Sequence, residues 1–314
     1  MSPSVQQMPG LDDCVHTVDW NPIVAAQSTS TFAGLFTGFV FASIIVILTN
    51  REKIDSHNGG AEAGMALQLL LSAFFGLAIV AYLDGVVRGE QVCRRAQTES
   101  VINGAALAVS AVIVMVALSW VVLAFDRHHD GVLTFFRRVV VFASLFVILM
   151  LVVSSNGFLD GTLPGSHAHS NKAMYAVGIA GMVIALVHAR WRRLYARSAK
   201  GAQGASEDIK RITRRVKIAA WGSLTLCGSA AAASSWAAGR SLSHWESMPK
   251  AVAYPAAWLA LVFPIGVIVL AVRALAHVEK EPRRAATGSG TPMSPPQQRQ
   301  GPGEASVSGS SGAG

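Results

Sequence analysis

Charge is the scarcest commodity in this chain. Asp, Glu, Lys and Arg make up 14% of its 314 residues, against about 25% in soluble domains. That shortage argues against an ordinary soluble globular protein, a disordered chain or a nucleic-acid-binding domain. Cysteine is also sparse, since three residues are too few for a disulfide scaffold. HExxH, Walker, GxSxG and CxxC motifs are absent, which removes the commonest zinc-protease, nucleotide, serine-hydrolase and dithiol chemistries. Residues 1–30 carry no Lys or Arg and no long apolar stretch, so a cleaved signal peptide is not expected.

What is present is apolar: 52% of residues, with a mean hydropathy of +0.43. Crossing the hydrocarbon core takes about 20 apolar residues at 1.5 Å rise each. Windows 32–49, 63–83, 105–125, 139–159, 173–189, 218–238 and 251–272 qualify, and none contains Asp, Glu, Lys or Arg. Backbone in lipid must satisfy its own hydrogen bonds, so such runs become helices. The sixth window is the weakest, because its Ala- and Ser-rich stretch 228–236 is only mildly apolar. It is kept as a span that packs tightly through small residues. The expected fold is all-α, a polytopic bundle of seven transmembrane helices.

Orientation follows from the basic residues. With seven spans, 20 of the 26 Lys and Arg fall on one side and 6 on the other, while the acidic segment 1–30 has none. The amino end is therefore expected outside and the carboxyl end inside, in the cell membrane. Trp20, Trp236, Trp245 and Trp258 would then form an outer aromatic belt, with Trp191 and Trp221 at the inner one. The net charge of +8 becomes a mark of topology, and no nucleic-acid partner is expected.

The chain divides into an extracellular segment 1–31, a seven-helix domain 32–277 and a disordered cytosolic tail 278–314. Gly, Ser and Pro supply 17 of the last 30 residues, without apolar periodicity. The longest inner connection, 190–217, reads as a basic hairpin extending the fifth and sixth helices. A turn falls at 201–204, and Ser206 caps the second arm ahead of Glu207 and Asp208. Arg190, Arg192, Arg193, Arg197, Arg211, Arg214 and Arg215 are its candidate contacts to anionic headgroups, or to another membrane or cytosolic protein. Shifting the chain by 76 residues aligns Leu83-Asp84-Gly85 with Leu159-Asp160-Gly161 and gives nine identities over residues 40–89. This fits a repeat of helix pairs, as seen in transporters and structural duplications alike.

Few side chains present themselves for chemistry. Asp84 and Asp160 would lie at equivalent heights on the outer rim, either as a carboxylate pair attracting a cation or as Asp-Gly turns at helix exits. His188 and His277 reach similar depth near the inner face, so they are candidate haem ligands, or simply interfacial histidines. His167 and His169, with Asp160, are candidate metal ligands, although a site needs three or four. Cys14 and Cys93 both fall outside, where a disulfide persists, or they are free thiols; Cys227 packs inside the sixth helix. Gln68, Ser119, Ser144, Ser223 and Thr225 are expected to join helices by hydrogen bonds. Gly34 and Gly38 form a GxxxG face, and Pro264 should kink the seventh helix.

The windows offer no ionisable group near the bilayer midplane, where coupled carriers keep theirs. Nor does the seventh helix offer a lysine for a Schiff base. No cofactor and no enzymatic activity are expected. The leading reading is a structural, sensory or partner-binding membrane component. The alternatives are a permease or facilitator for a neutral small molecule, and a haem- or metal-binding redox protein.

Overall fold

A computed structural model describes residues 21–56, 59–90, 92–125, 130–163, 168–195, 205–240, 245 and 250–275. The helices delimited there are α1 (Pro22–Thr49), α2 (Arg51–Ser56), α3 (Gly60–Val87), α4 (Cys93–Phe125), α5 (Asp130–Thr162), α6 (Ala168–Tyr195), α7 (Ala205–Ala238) and α8 (Lys250–Arg273). No strand occurs among the described residues. All but α2 are long and apolar enough to cross a membrane. The chain is a multi-pass membrane protein built as an all-helical bundle. Its compact unit is Met1–Val278, and the tail beyond it lies outside the described residues.

Most helices outrun their hydropathy windows. α1 starts at Pro22 rather than residue 32, because Asn21 caps it. The Asn21 side chain accepts hydrogen bonds from the Ile23 and Val24 amides at 3.0 and 3.3 Å, and Pro22 occupies the first turn, where its missing N–H costs nothing. α4 starts twelve residues before its window, and α5 nine before. α6 and α7 run on to Tyr195 and back from Ala205, so both arms of the 190–217 connection are helical.

α4 is the axis of the bundle. It packs on α1, α3, α5, α7 and α8, whereas α6 touches mainly α5 and α8. Of the most apolar stretch of each helix, 61% is buried in α4 but only 22% in α1 and in α6. The interior is filled by Leu69, Leu70, Leu77, Ile113, Ile148, Met174, Leu261 and Ile268, all fully buried.

Polar side chains in these helices are mostly satisfied at home. Thr37, Ser43, Ser144, Asn156 and Thr162 donate to the carbonyl four residues back, and Ser72 and Ser119 to the one three back. Such back-bonding hides a hydroxyl or amide N–H within its own helix. The expectation that Gln68, Ser119, Ser144, Ser223 and Thr225 join helices therefore fails. Ser119 and Ser144 bond their own helices, Gln68 and Thr225 are exposed, and the buried Ser223 Oγ has no partner. The helices are joined elsewhere. Ser30 Oγ donates to the Ala81 carbonyl at 2.8 Å, and Trp120 Nε1 to the Ala274 carbonyl at 2.9 Å.

Other expectations also change. Gly34 and Gly38 meet no other part of this chain within 4 Å of where a Cβ would stand, so the GxxxG face takes no part in packing the described bundle. Trp245 leaves the aromatic belt: it is 1% exposed and packs edge-on against Trp236, ring centroids 6.5 Å apart. Trp236 in turn carries the Arg240 guanidinium over its face at 4.7 Å.

Candidate functional site

The candidate site is a buried polar column where α3 hands over to α4. The handover is short. Turn hydrogen bonds run from the Arg88, Gly89 and Glu90 amides to the Asp84, Val86 and Val87 carbonyls, and α4 starts at Cys93. Two antiparallel helices joined this tightly lie side by side, so the last turns of α3 face the early turns of α4.

Arg95, Glu99 and Asn103 are spaced i, i+4, i+8 on α4, which sets them one above another on a single helix face. Glu99 is 1% and Asn103 0% exposed. Asn103 Nδ2 donates to Asp84 Oδ1 of α3 at 3.0 Å, and Asp84 is 2% exposed. Arg95 pairs with Glu90 of the turn through its terminal nitrogen, and its Nε lies 3.5 Å from Glu99 Oε1. The column thus reads Glu90, Arg95, Glu99, Asn103, Asp84. It holds three carboxyl groups and one guanidinium.

Its hydrogen bonding is incomplete. Asp84 Oδ2, Glu99 Oε2 and Asn103 Oδ1 are all buried without a hydrogen-bond partner. Unpaired buried acceptors cost roughly 1–3 kcal/mol each. Three together, one on α3 and two a turn apart on α4, mark a place where the chain's own groups do not finish the network.

Below Asn103 the same face of α4 continues as Ala106, Ser110, Ile113, Ala117 and Trp120, all buried. Ser110 Oγ lies 3.8 Å from the free thiol of Cys227 on α7. A Cβ on Gly76 of α3 would come within 2.5 Å of Ser110 Oγ and 3.0 Å of Cys227 Sγ. Beneath the column α3, α4 and α7 therefore close on one another.

No family model, curated protein or solved structure matches this chain. The site has to be read from its own chemistry.

The two Leu-Asp-Gly ends are not turns, because both lie inside helices, and they are not equivalent. Asp84 is buried on Asn103, while Asp160 is exposed and accepts from Asn171 Nδ2 at 3.3 Å. They form no paired rim. Cys93 is disulfide-bonded, and Cys14 lies outside the described residues. His188 Nδ1 sits 2.8 Å from the Ile184 carbonyl of its own helix. His277, His167 and the His169 side chain lie outside the described residues. Among the described residues no three of His, Cys, Asp and Glu gather as a metal site. Arg190, Arg211 and Arg214 are exposed and Arg215 half-buried, while Arg197 and the side chains of Arg192 and Arg193 fall outside the described residues.

Arg95, Glu99, Asn103 and Glu90 escaped the hydropathy reading, because the window for this helix opens at residue 105. The i, i+4, i+8 spacing immediately before that window was the available signal.

Proposed function

We propose that this multi-pass chain is a non-enzymatic component of the cell membrane with a sensory or binding role. It takes its ligand at the Cys93 end of the bundle and passes no solute through. One observation supports this above others: polarity is one-sided. Among the described residues the buried charged and amide side chains, Asp84, Gln97, Glu99, Asn103 and Asn156, all lie toward the Cys93 end, whereas Glu62 and Arg273 at the other end are only half-buried. Below them, Ser72, Ser119 and Ser144 are absorbed by their own backbone, Ser110 meets the Cys227 thiol, Ser223 Oγ has no partner, and the other buried side chains are apolar. A carrier needs polar groups that hand a solute onward; a binding site closed from beneath does not.

In this reading the Cys93 end faces outside and the basic arms of α6 and α7 face the cytosol. The distribution of Lys and Arg supports that orientation, and so does the disulfide at Cys93, since such bonds persist in oxidising compartments. Arg190, Arg211, Arg214 and Arg215 then meet anionic lipid at the inner face, and the same surface is available to a protein partner. Cys14 is the partner we assign to Cys93.

Two measurements test this reading. In proteoliposomes the protein should leave uptake of small neutral solutes at the rate of protein-free vesicles; saturable uptake above that rate would make it a permease. On intact cells an impermeant maleimide should label C93S, through the thiol freed at Cys14, and leave the wild type unlabelled. Equal labelling of both would remove the bridge, and labelling of C93S only after the cells are opened would reverse the orientation.

A further inference from the structure

We infer that Asp84 and Asn103 form a proton-binding site, in which a proton on Asp84 Oδ2 closes a carboxylic acid–carboxamide ring with Asn103. This deepens the proposed function and rests on it for the side from which the proton arrives.

Asn103 Nδ2 already donates to Asp84 Oδ1 at 3.0 Å. What remains on each side chain is an acceptor oxygen, Asp84 Oδ2 and Asn103 Oδ1, and both are buried with no partner. Two acceptors cannot satisfy one another. One added proton changes that: Asp84 Oδ2 becomes a hydroxyl that donates to Asn103 Oδ1, and the two planar groups are then joined by two parallel hydrogen bonds. The same proton removes a negative charge from a side chain that is 2% exposed, where an unpaired ion is costly. A single event thus resolves both orphan atoms and the buried charge.

Among the described residues no cation takes the place of that proton. α1 contains no Asp, Glu, Lys, Arg or His, and α7 has none between Ile218 and Ala238. α2 and the basic start of α7 adjoin α3 at its opposite end. On α4 the half-buried Arg95 lies two turns beyond Asn103 and is held between Glu90 and Glu99. Arg94 is half-buried and Arg88 exposed on the turn, and Arg240 lies over Trp236. Counted along α3 at about 1.5 Å per residue, Asp84 lies about 15 Å from the helix midpoint, at the edge of the hydrocarbon layer. A proton therefore has a short path from water at the Cys93 end.

The test is infrared spectroscopy of the full chain in lipid nanodiscs at neutral pH. The wild type should show the carbonyl band of a protonated carboxylic acid, shifted by exchange into heavy water. D84N should abolish that band, and E99Q should keep it. Absence of the band in the wild type, or its survival in D84N, would overturn the inference. Asparagine has the shape of aspartic acid and supplies the same donor, so D84N should fold; its failure to fold would also count against the ring. A second reading comes from stability. A group that holds a proton only in the folded state loses its contribution as pH rises, so the wild-type melting temperature should fall from mildly acid to mildly alkaline pH. D84N should flatten that slope, and an unchanged slope would argue against Asp84. The band and the flux assay are independent, so this inference and the proposed function can fail separately.

Discussion

Replacing Arg95 with methionine should destabilise the bundle by about 3–5 kcal/mol, the range for removing one partner of a buried ion pair. The Arg95 side chain is 16% exposed and stands between Glu90 and Glu99, at 9% and 2%. Methionine fills similar volume and restores no charge, leaving two carboxylates facing each other in a dry site. The loss should appear as a lowered thermal midpoint in detergent or nanodiscs. It should be largely rescued in R95M/E90Q/E99Q, since taking out the whole set removes the stranded charges together with their partner. If R95M alone cost no more than about 0.5 kcal/mol, as at an ordinary surface site, the column would not be an energetic unit. An unrescued loss would assign the effect to packing of the Arg95 stem.

Seven helices were legible because the physics that makes them is strong and local. Each window is long, apolar and free of charge, and lipid allows such a run one secondary structure. Their ends were not legible. A hydropathy window closes when charge appears, whether that charge meets water or protein. α4 shows the consequence, because its first twelve residues hold Arg94, Arg95 and Glu99 yet form one continuous helix with the rest. The absence of charge in the windows was correct as a count, but it does not describe the folded interior, where Asp84 and Glu99 lie buried at the end of the bundle. A tryptophan likewise reads as an interfacial residue. Trp245 instead is buried against Trp236, nine residues before it, a contact that hydropathy does not encode. Back-bonding of serine and threonine is a local property and was within reach of the sequence. Which glycines sit at helix crossings was not, because that depends on the neighbour.

α6 is held by α5 and α8, and it reaches them through glycine. A Cβ on Gly178 would overlap the Val152 side chain of α5, and one on Gly181 would stand 2.6 Å from Ile265 Cγ2 of α8. The two glycines are three residues apart, so they open adjacent faces of the helix towards different neighbours. Val152 and Ile265 are β-branched and stiff, so neither can swing aside cheaply. G178V and G181V should each cost about 1–3 kcal/mol through overpacking. Their sum should exceed the double variant, because once one face has been pushed away the second valine meets less resistance. Gly157 on α5 and Gly228 on α7 are the controls. Nothing lies within 4 Å of a Cβ at either position, and alanine there should stabilise the helix by up to about 1 kcal/mol. Thermal midpoints of the five variants would check the set. A double variant no worse than the wild type would show that α6 docks without its glycines, and full additivity would show that the two crossings act independently.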